Sequence, residues 1–370
     1  MENKQLSRLR NFHGSFRYGI WYNIPIHDPK TIYKEMHGMK SVYIPKRGQV
    51  EFIDIPVPEV KPGWVRVRPL LIVLCGSDVH SVYHLLDDQY PQPPGIAGHE
   101  LVAVVDAVGS PNSHIQPGDL ALVMVVGGAM AEYYLAPEAD ILPLPAGKPL
   151  EQLVLAQPLG TVIFAAKRLP NLVGQSAVVI GQGTIGLFFD FILRRMGAHQ
   201  MIGLDLLPER AALGERFGAT HTFCTKEQDA LKIVREITDG RLCDLVVEAA
   251  GEVDSIQLAP SLVRDWGHLL YFGVPRQHGM IPFDFFAWFR KHTHTQSVSD
   301  AGFEAGRASM RLALEWVAAG EVDVSTLITH RLPFERVAEG YELVRTRADG
   351  VIKVLIEMPA WKERNWEETR

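Results

Sequence analysis

The sequence predicts a two-part α/β protein: a β-rich region followed by a doubly wound parallel sheet covered on both faces by helices. Three observations predict it. Up to about Gly174, short β-type stretches are punctuated by Pro and Gly. Beyond that point strand-like and helix-like segments alternate, the pattern of a parallel sheet built from strand-helix-strand units. The length of 370 residues also suits two domains at roughly 150 residues each.

Residues 1–38 carry scattered charges among Phe12, Phe16, Tyr18, Trp21 and Tyr22, without the continuous apolar stretch of a signal peptide; they read as an appended arm or an over-long start. From Met39 the β-type runs are Ser41 to Ile44, Val50 to Ile55, Trp64 to Val73, Leu101 to Val108 and Leu120 to Val126. The alternating part opens with strand Ala177 to Ile180, a helix carrying Leu187, Phe188, Phe191 and Ile192, and strand Met201 to Leu204. A helix near Pro208, the extended stretch Thr220 to Phe223, a helix over Ala230 to Ile237, and strands Leu245 to Val247 and Leu269 to Phe272 continue it. A helix around Met310 to Ala319 and a β-type run Val351 to Ile356 break the alternation and are expected to return to the first domain. The expected division is therefore 39–170 with 300–370 for the β-rich domain and 171–299 for the parallel sheet. The aromatic segment Phe283 to Phe289 is expected as a loop and helix packed into the domain junction, with a cover over the cleft or a subunit interface as alternatives.

Composition narrows the function. With 37 Lys+Arg against 43 Asp+Glu the net charge is −6, a poor match to nucleic acid or an anionic membrane, so the expected partners are small molecules. The longest uncharged apolar run, Leu120 to Ala131, is far short of the roughly 20 residues that span a bilayer. Three cysteines, Cys75, Cys224 and Cys243, exclude a disulfide framework and a four-cysteine zinc knuckle and suggest a reduced, cytoplasmic setting.

The segment Val178-Val179-Ile180-Gly181-Gln182-Gly183-Thr184-Ile185-Gly186 places G-x-G-x-x-G between a strand and a helix. In this context Gly181 makes the tight turn, Gly183 lets the backbone approach a pyrophosphate, and Gly186 allows close helix-strand packing. The pyrophosphate would meet the unpaired N–H groups of the helix start. Asp205 stands at the end of the next strand, 19 residues past Gly186, where a carboxylate accepts from ribose hydroxyls and repels a 2′-phosphate. NAD is expected over NADP, although Arg210 keeps a positive charge nearby. The alternative is a purely structural turn with a solvated Asp205.

A second cluster is Cys75-Gly76-Ser77-Asp78-Val79-His80, followed by Gly98-His99-Glu100. Thiolate, imidazole and carboxylate are all zinc ligand types, and three protein ligands with one open position describe a catalytic site. On residue types alone, a metal site and a set of unrelated buried or surface side chains stand about even.

These two motifs, with Pro117-Gly118-Asp119, Ala131-Glu132-Tyr133 and Gln157-Pro158-Leu159 between them, resemble the zinc-dependent medium-chain alcohol dehydrogenases, and most the sorbitol, polyol and sugar dehydrogenase branch. The resemblance runs from about Met39 to Ile356 and implies a GroES-like catalytic domain joined to a Rossmann domain. It implies that Cys75, His99 and Glu100 hold a catalytic zinc with water, and that Gln157, an amide where the family usually has Glu or Cys, approaches in some states. Asp78 would orient His99. Ser77 would take the substrate hydroxyl proton and pass it through the nicotinamide ribose to His80. Thr161 and Ile185 would pack on the nicotinamide, with Gly273 and Val274 along the cofactor.

The four-cysteine lobe of many relatives is missing between Asp119 and Glu132, so one catalytic zinc and no structural zinc are expected. Cys224 and Cys243 are expected to pack as small buried hydrophobes. The implied activity is oxidation of a secondary alcohol, a polyol, sugar or cyclitol, to a ketone by a homodimer or homotetramer. A zinc-free NADPH quinone or enone reductase and a non-catalytic dinucleotide-binding protein are the alternatives.

Overall fold

In the computed structural model residues 38–363 are described, except Val126 and Phe303. The arm expected over residues 1–38 therefore lies, apart from Gly38, outside the described residues.

A hairpin of β1 (Met39–Lys46) and β2 (Gln49–Ile55) leads into a mostly antiparallel sheet. Its central strand β3 (Trp64–Val73) shows how the burial is arranged: Val65 and Val67 point inward between half-buried Arg66 and Arg68, and then Leu70 to Val73 are all buried. Strict alternation marks a one-sided face, and a continuous apolar run marks coverage on both faces. β3 pairs with β4 (Glu100–Val108), which pairs with β5 (Leu120–Met124). β6 (Tyr134–Pro137) pairs with β3, and β7 (Ile141–Pro143) with β5. Helix α1 (Gly76–Tyr83) follows β3, and α2 (Ala156–Ala166) leaves this region.

The second sheet is parallel throughout: β8 (Ser176–Ile180), β9 (Gln200–Asp205), β10 (His221–Cys224), β11 (Cys243–Glu248), β12 (Val263–Tyr271) and β13 (His294–Ser297), in the order β10-β9-β8-β11-β12-β13. The helices are α3 (Thr184–Arg195), α4 (Ala230–Ile237), α5 (Val253–Leu262) and α6 (Phe285–Arg290). Asp229 caps α4 by accepting from the backbone N–H groups of Leu231 and Lys232, which satisfies two of the donors a helix start leaves unpaired.

After α7 (Ala308–Ala319), the chain returns to the first sheet: β14 (Ile328–Pro333) and, beyond α8 (Val337–Thr346), β15 (Lys353–Glu357) extend it to the order β14-β15-β3-β4-β5-β7. One large core joins the two sheets. Leu70, Val102 and Leu122 of the first and Ala177, Val179 and Leu270 of the second meet through α2, α3 and α7. Gly160 makes that contact possible, because a Cβ there would lie 2.9 Å from the Met310 Cα.

The aromatic segment departs from expectation. α6 is formed, but Phe285, Phe286 and Phe289 are 63%, 69% and 59% exposed, so these rings are not packed into a junction. Trp288 alone of this helix joins the core of the parallel sheet. Cys243 is buried on a central strand, and burial pushes its thiol pKa up to about 12. Cys224 differs from expectation: β10 is an edge strand, so its thiol is half-exposed and donates to the Leu206 carbonyl. No described helix is long and apolar enough to cross a membrane.

Candidate active site

Strand register brings the acid-base cluster together. Val73 of β3 lies opposite Glu100 of β4, so Cys75, just past β3, faces His99, just before β4. On the other side, Val73 lies opposite Leu355 of β15, which sets Lys353 beside Cys75. One ligand atom from each of Cys75, His99 and Glu100 lies within 4.8 Å of the others, and this is the only such group among the described residues.

Asp78 organises the cluster. Its Oδ2 accepts from the Cys75 backbone N–H at 2.8 Å, closing the start of α1, while its Oδ1 lies 3.1 Å from His99 Nδ1. Nδ1 of His99 is thereby engaged, and Nε2 is left facing the thiol side, 3.5 Å from Ser77 Oγ. Burial alone would lower the His99 pKa, but the Asp78 carboxylate and the Cys75 thiol outweigh it and hold it well above the usual range. A cation bound between these groups would displace that proton, the coupling expected of a metal site.

Sequence reasoning missed Lys353. Its Nζ lies 2.6 Å from Glu100 Oε2, and both side chains are almost fully buried. Burial lowers its pKa, yet Glu100, Cys75 and Asp78 more than reverse this, so the ammonium stays charged. The signal was a lone cation inside the apolar run Val351-Ile352-Lys353-Val354-Leu355-Ile356. Gln157 is buried near the start of α2, where its backbone carbonyl accepts from Thr161 Oγ1 at 3.1 Å. Thr161 is thus fixed within α2, and Ile185 is half-buried in the first turn of α3.

The donor set of sulfur, nitrogen and oxygen, with a carboxylate behind the imidazole, fits a tetrahedral divalent zinc with one position left open.

The second group of residues lines the carboxyl ends of the parallel strands. The order β10-β9-β8-β11-β12-β13 reverses direction between β8 and β11, the place where open α/β sheets take ligands. Gly181 leaves β8 at φ +96, and a Cβ on Gly186 would lie 1.7 Å from the Gly181 carbonyl oxygen, so helix and turn are packed backbone to backbone. Gly183 caps α3 with no side-chain hydrogen bond to the helix start, and a Cβ there would meet only Arg210 Nη1, at 3.8 Å. The hydroxyl of Thr184 is buried and unpartnered. An open cradle of free N–H groups with a cation beside it fits a diphosphate.

Asp205 is fixed by backbone donors: Oδ2 accepts from Gln182 N–H at 2.7 Å and Oδ1 from Leu207 N–H at 2.9 Å. Arg210 does not stand free beside it. Its guanidinium donates to the Val351 carbonyl and lies over Gly183. Gly273 is pressed against the Gly251 backbone and the Glu248 carboxylate, and Val274 is partly exposed on the same rim.

Helix α1 links the two groups. His80 of α1 lies against the Pro275 carbonyl and the His278 ring, centroids 5.3 Å apart, in the loop that follows Gly273 and Val274. Arginines tie the same loop to its neighbours: Arg276 Nε lies 3.0 Å from Glu252 Oε1, Arg347 shares that oxygen, and Arg276 Nη1 donates to the Arg345 carbonyl at 3.2 Å.

Residues 61–146 match the family described as alcohol dehydrogenase GroES-like domain, and residues 184–319 the family described as zinc-binding dehydrogenase. Over 342 residues the chain is 28% identical to D-xylulose reductase A of Aspergillus niger, covering 83% of this chain and 93% of that protein. It is 25% identical to sorbitol dehydrogenase of Bacillus subtilis, covering 86% and 97%. Among solved structures, alcohol dehydrogenase TADH from Thermus sp. ATN1 superposes with a TM-score of 0.73 at 25% identity, covering 86% of this chain and all of that one.

Proposed function

From a chain that belongs to the zinc-dependent medium-chain dehydrogenase superfamily, in its polyol branch, we propose an NAD-linked polyol, sugar or cyclitol dehydrogenase that interconverts a secondary alcohol and its ketone at a single catalytic zinc. Oxidoreduction of alcohols is the activity its relatives share. The observation that supports the reading is the Cys75, His99 and Glu100 cluster at the start of α1, the helix whose His80 ring lies against the loop that follows Gly273 and Val274.

Zinc held by Cys75, His99 and Glu100 would supply Lewis-acid stabilisation of negative charge on the substrate oxygen. The nicotinamide cofactor would supply the hydride acceptor. The chain's own residues do the rest. Asp78 holds the His99 ring so that Nε2 points to the metal position, and the Lys353 ammonium lies against the buried Glu100 carboxyl. Ser77 and His80 are three residues apart on α1 and so share a helix face. Ser77 Oγ, beside the cluster, takes the substrate proton, and the His80 imidazole carries it away from the cluster toward the rim. Asp205, already fixed at the end of β9, favours free ribose hydroxyls over a 2′-phosphate, which supports NAD. Gln157, at the position where the family usually has Glu or Cys, would offer its amide oxygen to the metal in some states. A zinc-free reductase would have no need of the thiol, imidazole and carboxylate together.

The test is metal analysis of the purified protein, with NAD and NADP reduction followed on a panel of polyols, sugars and simple alcohols. One zinc per chain and NAD-dependent oxidation of a secondary polyol or sugar alcohol are expected. Turnover by zinc-free protein would overturn the reading.

A further inference from the structure

The His80 ring is half-buried and packed between α1 and the loop after β12. Its Nδ1 is buried and has no hydrogen-bond partner. The groups around it are His84, on the same helix with ring centroids 6.2 Å apart, and the Pro275 carbonyl and His278 from the opposing loop. A proton arriving at His80 therefore has two imidazoles to move to.

They are not equivalent. Nε2 of His84 is buried without a partner, and the charges facing that ring are Arg47, Arg276 and Arg345, opposed by Glu252 alone. A proton placed on His84 would meet three like charges. His278 sits in an exposed loop, its ring tilted 31° over His80 with centroids 5.3 Å apart. Two imidazoles this close resist double protonation, so a charge on one favours release from the other. Burial, and then His278 and His84, lower the His80 pKa, which makes His80 a ready donor once it has accepted.

We propose that His278 is a positioning residue of the proton relay, passing the proton between His80 and solvent. The step balances as a proton transfer alone. The N–H bond of the His80 imidazolium breaks, an N–H bond forms on the neutral His278 ring directly or through one water, and His278 then releases a proton to bulk water. Because His80 belongs to α1 and His278 to the loop after β12, the relay is complete only while that helix and that loop meet as they do here. This rests on the relay reading given above for Ser77 and His80.

The test compares His278→Ala, His278→Gln and His80→Ala in the zinc- and NAD-loaded enzyme, with histidine titration followed by NMR in the substrate-free protein. Removing His278 is expected to lower kcat roughly tenfold at and below neutral pH in weak buffer, with recovery at high pH or on adding imidazole, and with KM for NAD unchanged. His278→Gln keeps the bulk without the titration and is expected to behave like His278→Ala. The His80 titration is expected to move up in both. A wild-type pH profile in either His278 variant, with loss in His80→Ala, overturns the role of His278 and leaves the His80 relay standing. No loss in His80→Ala overturns the relay itself and the inference with it.

Discussion

The metal cluster and the dinucleotide rim are linked where His80 of α1 meets the loop after β12, yet they are built from opposite materials. The cluster is made of side chains from β4, the start of α1 and β15, which strand register brings together across a long stretch of sequence. The rim is made largely of backbone in short segments after β8 and β12, where glycines leave room for a ligand or for a neighbouring turn. A side-chain site is sensitive to lost charge and lost orientation. A backbone site is sensitive to added atoms. The difference can be tested by substitutions that change one property at a time.

Lys353→Met should have the largest effect, because it leaves Glu100 buried without its counter-charge; a loss of roughly 3–5 kcal/mol in unfolding free energy is expected, measured by denaturant titration. Asp78→Asn keeps the shape but removes the negative charge beside His99. It should weaken zinc affinity about 10- to 100-fold, as read by chelator competition, with little change in secondary structure.

On the rim, two glycines three residues apart should separate. Gly186→Ala places a methyl against the Gly181 carbonyl oxygen and should cost about 1–3 kcal/mol of stability by overpacking. Gly183→Ala meets only Arg210 and should leave the melting temperature unchanged while weakening NAD binding, measured by calorimetry. Equal behaviour of the two would break the account of the rim.

The smallest effect is expected behind the rim, at Asp190. Its carboxylate is fully buried in α3 beside the Gln182 amide, and burial raises its pKa well above the usual range. An unfolded Asp titrates near 3.9. Between that pH and the folded pKa the unfolded chain holds fewer protons than the folded one, so this group makes stability fall as pH rises. Asp190→Asn should match wild type in acid and exceed it at neutral pH, measured as melting temperature across that range.

The same division explains what the sequence made legible. The rim could be read because its requirements are local: a strand, glycines at fixed spacing and an acid at the end of the next strand. Cys75, Asp78, His99 and Glu100 could be read as zinc-ligand chemistry, and the family resemblance gave them roles. Their charge balance could not be read, because Lys353 joins them only through the pairing of β15 with β3, far away in the chain. The hydrogen bond of Arg210 to the carbonyl of Val351 could not be read for the same reason, since the two lie far apart in the chain.

Strand β13, His294–Ser297, was not anticipated, because a polar and largely exposed edge strand carries no apolar alternation. Helix α2 was read only as the Gln157-Pro158-Leu159 motif. Every one of its residues is buried, and a helix apolar all round shows no amphipathic period. His278, in an exposed loop of otherwise unremarked residues, had no signal until the structure set its ring against His80.

The central claim is that Cys75, His99 and Glu100 hold one functional zinc. Zinc content per chain, measured on wild type and on Cys75→Ser purified in parallel, tests it most directly alongside NAD-dependent alcohol oxidation. The account predicts one zinc per chain in active wild type, and loss of both zinc and turnover in Cys75→Ser. A Cys75→Ser variant that keeps its zinc and its rate would contradict it.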